Sequence, residues 1–543
     1  MSFKKVLLSA VMLSMTVLAH SQYISNISRP DKSKPQVEDK KDVAYRLASG
    51  ISAANMRNYM KVLASDSLEG RETGTNGTKL AANFISNHLR NLGIEGIKNR
   101  GGYLQPVSFT FSRWTDTDMY VNGERYRLLW DYIALPENNE NKEIIKDKEV
   151  IFLGFGIDDP KYSDYKKINV KDKIIMINRG EPWNEKKGTS YITGTTEASD
   201  WSSDMDKKLK VAKEKGVKLV LIIDEDFKKT VEEARRNLIM PNLQLGDKKD
   251  QPIPFANHAY ISTNVAKAII GQHEKQILKA RSKIAKGKPA NTALPNDFII
   301  NMSKKVTVLS DNNVVGYVKG KKYPEEFIVI SAHYDHLGKK GEEIFNGADD
   351  DASGSCTVME LARVFQQATY EGNRPERSVV FLWFTGEEKG LLGSNYYTAS
   401  PLFPLDQTVA NINIDMVGRV DAKYKDSASY VYVIGSDRLS TELHQINEDV
   451  NQKYSRLILD YSYNSEEDPN KFYYRSDHYN FAEKGIPAIF FFNGVHEDYH
   501  RPSDTIDKIN FDAMEQRAKL IFHLAWELAN RPDRIKLNPK SEK

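Results

Sequence analysis

The spacing of apolar and polar positions divides the chain into stretches of different texture. "AANMRNYMKVLA" and "GTKLAANFISNHLRNLG" carry apolar residues at helical intervals, with the Gly- and Thr-rich loop "EGRETGTNGT" between them. From about Trp114 to Asn296 the pattern changes to short strand-like runs, "EVIFLGFGI", "KIIMINRG" and "KLVLIID", separated by lysine-rich turns. Beyond them, apolar strand, loop and helix recur. "EFIVIS", "SVVFLWF" and "IPAIFFF" are continuous apolar runs, as expected of strands covered on both faces of a mostly parallel sheet. "NINIDM" alternates instead, with Ile412, Ile414 and Met416 on one side and Asn411, Asn413 and Asp415 on the other. Val358, Leu361, Ala362 and Phe365 predict a helix directly after "GADDDASG". Met514, Ala518, Ile521, Ala525 and Leu528 predict another, stopped by Pro532.

These textures predict an α/β fold with a mostly parallel central sheet flanked by helices, interrupted by a smaller mixed α/β module. The main domain is expected from two segments, 46–115 and 297–532, with the module at 116–296 ending in the basic linker "KARSKIAKGKP". Residues 22–45 are polar and Pro-containing, which suits a flexible leader, and 533–543 form a polar tail. At the amino end, Lys4 and Lys5 precede the apolar run "VLLSAVMLSMTVLA", and Ala19-His20-Ser21 closes it with small residues two apart. This is the form of an export signal, removed after residue 21, and it predicts a periplasmic or secreted protein. The run is short for a membrane span, polar residues follow it, and no later segment is apolar enough to cross a bilayer, so stable membrane insertion is not expected.

Composition narrows the function classes. The chain has 543 residues, 40% hydrophobic and 28% charged, the balance of a soluble globular protein. Lys plus Arg number 77 against 74 Asp plus Glu, a formal charge of +3, which gives no basis for a nucleic-acid partner. Cys356 is the single cysteine, so no internal disulfide can staple the exported fold.

The chemistry gathers at strand ends. In an open α/β sheet, ligands bind beyond the carboxyl ends of the strands. His333 and Asp335 follow "EFIVIS", Glu387 and Glu388 follow "SVVFLWF", Asp415 ends "NINIDM", and His500 lies after "IPAIFFF". "GADDDASG" adds three carboxylates at a helix start on the same edge. Two charges ~4 Å apart interact by ~4 kcal/mol at an effective dielectric of about 20, so such a trio invites a cation. Two histidines with several carboxylates make a nitrogen–oxygen donor set that suits zinc, manganese or cobalt better than calcium. Five donors exceed the need of one tetrahedral ion. A carboxylate shared by two metals ~3.5–4 Å apart accounts for the surplus, and of two adjacent glutamates one can ligate while the other reaches a water.

The motifs "HYDH", "GADDDASG", "GEEKGLLGS", "NIDMVGR", "SDHYNFAEKGIPA" and "YHRPSDT" occur in the order seen in the co-catalytic two-zinc aminopeptidases, which this chain resembles over residues 46–115 and nearly all of 297–530. That superfamily also holds glutamate carboxypeptidases, glutaminyl cyclases and the catalytically inactive transferrin receptor. The middle segment resembles a protease-associated domain, which would restrict the mouth of the active site. The resemblance implies two zinc ions per chain, one held by His333, Asp350 and Asp415 and the other by Asp350, Glu388 and His500, with Mn2+ or Co2+ as substitutes. It implies Glu387 as general base, Asp335 as the group orienting His333, and Tyr473 as a stabiliser of the tetrahedral oxyanion, with Tyr474 beside it as the competing choice. Peptides are the implied substrates and amino-terminal cleavage the implied reaction.

Other readings follow from other residues. Carboxypeptidases and dipeptidases of this fold share the ligands and differ in the pocket that reads the free terminus; Arg475 is a candidate for a substrate carboxylate, or a surface residue. A glutaminyl cyclase uses one zinc and lacks the full "GADDDASG" pattern, and a receptor-like ectodomain would have lost ligands. "HEDYH" at 496–500 matches the zincin pattern, with Glu497 as base, but Asn493-Gly494 before it and Pro502 after it argue against the helix that pattern needs. Asp351 reads as a cap or a partner behind the ligands rather than a ligand, and Cys356 as a small buried hydrophobe rather than an activated thiolate. No Gly-x-Ser-x-Gly elbow is present. His336, His444 and His478 receive no role.

Overall fold

The computed structural model describes residues 26–34, 36–97, 102–232 and 243–539. The apolar run read as an export signal lies outside them. Two compact units divide the chain: one comprises Met1–Val107 with Asp311–Lys543, the other Ser108–Ser310. The boundaries thus fall at Ser108 and Ser310 rather than at 116 and 296. The second lies inside the strand Thr292–Val318, which stays extended through Ser310-Asp311-Asn312-Asn313.

In the first unit the strands are β1 (Thr292–Val318, through its last five residues), β2 (Tyr323–His333), β3 (Arg377–Phe384), β4 (Thr408–Ile414), β5 (Tyr430–Ile434), β6 (Ile458–Asp460) and β7 (Ala488–Phe492). Their spatial order is β1-β3-β2-β4-β7-β5-β6. The β3-β2-β4-β7 centre is parallel, and β1 and β5 join it antiparallel. The apolar runs explain this centre. In β2, Ile328, Ile330 and Ala332 enter the cluster on one face while Phe327 and Val329 enter the cluster on the other; β3 divides the same way, with Val379, Phe381 and Trp383 opposite Val380, Leu382 and Phe384. Each of the larger of these side chains contributes ~1.5–3 kcal/mol on burial, so these strands hold the centre of the sheet.

Helices α1 (Ala53–Leu63), α2 (Asn76–Leu92), α3 (Ala352–Tyr370) and α4 (Phe511–Asn530) cover the larger cluster. Ser52 caps α1, Gly93 ends α2 in the left-handed region (φ 71°), and Asp351 caps α3 by accepting the Gly354 N–H at 2.8 Å. Cys356 is fully buried in this cluster.

Three expectations are corrected. Residues assigned to a flexible leader are tied down: Ile27–Ser28 pairs antiparallel with β6, and Val43–Ala48 is a helix. The tail after Pro532 also packs, since Asn538 Oδ1 accepts the Thr441 N–H at 2.8 Å and Ile535 is buried. In both segments a few apolar and amide contacts outweigh a polar composition. The basic "linker" is largely the helix Glu274–Ile284, whose Ile277, Ala280 and Ile284 are buried while its lysines face outward.

The second unit has its own sheet, with Lys142–Phe152, Ile174–Asn178, Leu219–Asp224 and His258–Ser262 parallel in that order. Clusters on its two faces form separate cores. Among the described residues, no helix is long and apolar enough to cross a membrane.

Candidate metal centre

His333 is the last residue of β2, Glu387 and Glu388 follow β3, Asp415 follows β4, and His500 lies in the loop after β7. Asp350 immediately precedes the cap of α3. The parallel strands bring their carboxyl ends to one edge, and these six side chains meet there. His333 Nε2 stands 3.4 Å from Asp350 Oδ1, 3.7 Å from Asp415 Oδ1 and 3.9 Å from Glu387 Oε2. His500 Nε2 stands 3.1 Å from Asp350 Oδ2 and 3.3 Å from Glu388 Oε1. The two oxygens of Asp350 therefore face two different donor sets. Among the described residues, two groups have donor atoms close enough to hold an ion: His333, Asp350 and Asp415, and His336, Asp350 and Glu388, with Asp350 common to both.

The three adjacent aspartates point three ways, which answers how such a trio can be tolerated. Asp349 accepts the Gly418 N–H at 2.6 Å and the Asn493 amide at 3.0 Å, and faces His496 Nε2 at 3.1 Å. Asp350 turns into the centre. Asp351 accepts from Gly354 and from the Met416 N–H at 3.0 Å, so it is a cap and a tie to the Asp415 loop. Asp504 holds the trio's backbone, accepting from Asp349 N–H at 3.0 Å and Asp350 N–H at 3.1 Å.

Asp335 touches His333 mainly through its backbone carbonyl, 3.1 Å from Nδ1, while its carboxylate lies 3.7 Å away. That carboxylate accepts the Glu387 N–H at 3.1 Å and the Thr73 hydroxyl at 2.8 Å, so it also positions the glutamate loop. Sequence reasoning gave no part to Arg71. Fully buried, it donates to the Tyr334, Asn346 and Gly347 carbonyls at 2.7, 2.7 and 3.0 Å and to that of Leu63, clamping the loops that carry His333 and Asp350.

The polar side of "NINIDM" does not face water. Asn411 donates to Ser331 at 2.9 Å, Ser331 to Asn413 at 2.8 Å, Asn413 to Ser476 at 2.8 Å, and Ser476 to Asp415 Oδ2 at 2.6 Å. The alternation thus encodes a buried relay that fixes the direction of Asp415. Met416 (φ 59°) and His500 (φ 57°) hold left-handed backbone conformations beside the centre, a cost of order 1–3 kcal/mol each that surrounding structure must sustain.

Charge follows geometry. Burial alone would raise Asp350, yet the imidazoles of His336, His333 and His500 hold it well below the ordinary carboxylate range. Burial and the negative Glu388, Asp415 and Asp477 push Glu387 well above it, against the pull of His333. Glu388 is drawn down to about 2 by His336 and His500 despite burial. One glutamate is thus held as an anion and its neighbour is a proton acceptor of raised basicity.

The donor set fits a divalent transition ion. His336 is buried with neither ring nitrogen hydrogen-bonded, and Glu388 Oε1 has no hydrogen-bond partner either, a cost that coordination removes. Beside the donors, the cavity is walled by Met416, Phe472, Phe490 and Phe492. Tyr473 does not line it: its ring lies against Gly435, under Arg438 at 4.9 Å and beside His478. Tyr474 is exposed. Tyr499 and Arg475 do line the cavity, with an Arg475 N–H donating to the Tyr499 hydroxyl at 3.3 Å. His496 to His500 form a loop and turn, with Glu497 directed to solvent, so the zincin pattern has no helix.

Residues 313–525 match Peptidase family M28. A probable leucine aminopeptidase of Arthroderma otae is 30% identical over 212 residues, 38% of this chain and 55% of that protein. Leucine aminopeptidase 1 of Trichophyton equinum is 28% identical over 225 residues, 40% of this chain and 58% of that protein. The chain thus spans a little over half the length of the curated relatives it matches. An aminopeptidase from Aneurinibacillus sp. strain AM-1 superposes with a TM-score of 0.50 at 21% identity, covering 91% of this chain and 98% of the other, a likeness of fold.

Proposed function

We propose that this protein, whose residues 313–525 match Peptidase family M28, is a two-zinc aminopeptidase that removes amino-terminal residues from peptides. The observation that carries the reading is Asp350, whose Oδ1 faces His333 while its Oδ2 faces His500. A carboxylate so placed would serve two ions, one held with His333 and Asp415 and the other with Glu388 and His500. Zinc there would supply Lewis-acid polarisation of the peptide carbonyl and a lowered pKa for water.

The remaining work falls to the chain's own residues. Glu387, of raised basicity, takes the proton of the attacking water and returns it to the leaving amine. Asp335 and Thr73 hold the Glu387 backbone and the strand end beside it. The apolar wall keeps bulk water from the reacting bond and strengthens the electrostatics inside. Tyr473 as oxyanion donor would need to turn away from Arg438.

A second reading rests on Arg475, a cation on the cavity wall suited to a substrate carboxylate; it makes the protein a carboxypeptidase. The deciding experiment incubates zinc-loaded protein with an unblocked peptide, its amino-acetylated form and its carboxyl-amidated form, with products followed by mass spectrometry. Loss of cleavage on acetylation alone supports the aminopeptidase, and loss on amidation alone the carboxypeptidase. We also read the chain as exported, on the charged and apolar run ending at Ser21. Mature protein from the medium or periplasm is expected to begin at Gln22.

A further inference from the structure

His336, the second histidine of "HYDH", has no place in the ligand set above, yet it is fully buried beside it. Its backbone N–H donates to the Arg71 carbonyl at 3.1 Å. Its ring packs where a Cβ on Gly347 would come within 2.6 Å, so glycine at 347 leaves room for the imidazole. Nδ1 lies 2.9 Å from Glu388 Oε1 and 3.8 Å from Asp350 Oδ2. At 2.9 Å the pair lacks hydrogen-bond alignment, and His336 Nδ1, His336 Nε2 and Glu388 Oε1 all remain without a hydrogen-bond partner. Buried polar atoms left so cost ~1–3 kcal/mol each unless something else satisfies them.

His500 Nε2 approaches the same two carboxylate oxygens, at 3.1 and 3.3 Å, and the two imidazoles meet edge to face with centroids 5.9 Å apart. Donors at ~2.0–2.1 Å from one zinc stand about 2.9–3.4 Å from one another in four- and five-coordinate arrangements. Three of the four spacings fall in that range, and the fourth, 3.8 Å from His336 Nδ1 to Asp350 Oδ2, is slightly beyond it.

We propose that His336 and His500 both coordinate the ion held by Asp350 and Glu388, so that the two positions are chemically unequal. One has two imidazoles and two carboxylates; the other has His333, Asp350 and Asp415 alone. The inference rests on the two-ion reading above and adds a ligand to it. The four-donor position is filled by the protein and retains its ion tightly. The three-donor position, beside Glu387, keeps room for water and the peptide carbonyl, as catalytic zinc sites do.

The test titrates the metal-free, full-length protein with zinc and cobalt by calorimetry. Wild type is expected to bind two ions in separate tight and weak phases. His336→Asn should weaken the tight phase by more than ~100-fold, beyond the roughly 10–100-fold typical of losing an outer-shell support, and leave the weak phase nearly unchanged. His500→Asn should act on the same phase. Because a change at so packed a position can disturb the fold, cobalt-loaded His336→Cys is read in parallel. A thiolate at 336 within the coordination sphere gives an intense near-ultraviolet charge-transfer band, absent from wild type, whose single cysteine is buried in the core. The proposal is overturned if His336→Asn binds both ions as wild type does, or if His336→Cys takes up two cobalt ions without that band. Uptake of fewer than two ions by the wild type would instead remove the two-ion reading itself, and this proposal with it.

Discussion

Both units carry parallel strands whose carboxyl ends open onto a cavity, and the two edges differ in kind. In the second unit, a cavity of about 570 Å³ lies beyond Ile174–Asn178 and Leu219–Asp224. Its buried acid, Asp224, is satisfied: Arg179 stands 3.2 Å away, and Thr230 and the Asp226 N–H donate at 2.5 and 3.1 Å. In the first unit the cavity is about 30 Å³, and beside its lining residues Asp350 and His500 stand His336 and Glu388, whose buried ring nitrogens and Oε1 have no hydrogen-bond partner. Cavity size therefore does not mark the chemistry here. What marks it is buried polar atoms whose cost only a bound group can remove.

That contrast can be broken or sharpened by experiment. The largest effect is expected from Asp350→Asn, which removes the shared carboxylate: kcat/KM should fall at least ~10⁴-fold, with loss of both ions in elemental analysis. Retention of two ions would end the bridging assignment. Glu387→Gln should lower kcat by ~10²–10⁴ while metal content stays at the wild-type level, since Glu387 acts on the proton. Ser476→Ala cuts the relay at its last link and should weaken one of the two ions ~10–100-fold in calorimetric titration.

The pH dependence of metal uptake is a further test. In the metal-free protein, burial pulls His500 down, but the Asp350 and Glu388 carboxylates beside it carry it up to about 10. Its imidazolium is thus the resting form at neutral pH, and an ion must displace that proton. Zinc affinity should therefore rise with pH, by about tenfold per unit between pH 6 and 8 for each proton released, countable by calorimetry in buffers of different ionisation enthalpy. Affinity independent of pH would show that His500 is not displaced. The smallest effect is expected at the other edge: Asp224→Asn should cost about 1 kcal/mol of stability by denaturant unfolding and leave metal content and turnover unchanged.

Much of the first unit was legible because its signals are local. Continuous apolar runs specify central strands whatever surrounds them, and Asp351 before an apolar-periodic stretch specifies a helix start. His336 escaped notice because its significance is a shortage of partners, which no linear pattern displays. Tyr473 and Tyr474 could not be told apart for a related reason. Whether Tyr473 faces a cavity depends on where Arg438 and Gly435 lie, more than 30 residues away in the chain.

By itself the sequence determined the donor types, their order and their delivery to strand ends, because periodicity and residue chemistry act over a few positions. Only the tertiary structure decided which of three adjacent aspartates enters the centre and that Asn411 and Asn413 support Asp415 from within. It alone decided that Arg71 clamps the loops. Side-chain direction beyond a strand end depends on loop dihedrals such as the positive φ of Met416 and His500. Those dihedrals are sustained by partners distant in the chain, such as Asp351 for Met416 and Asp350 for His500, brought near by the packing of the whole unit.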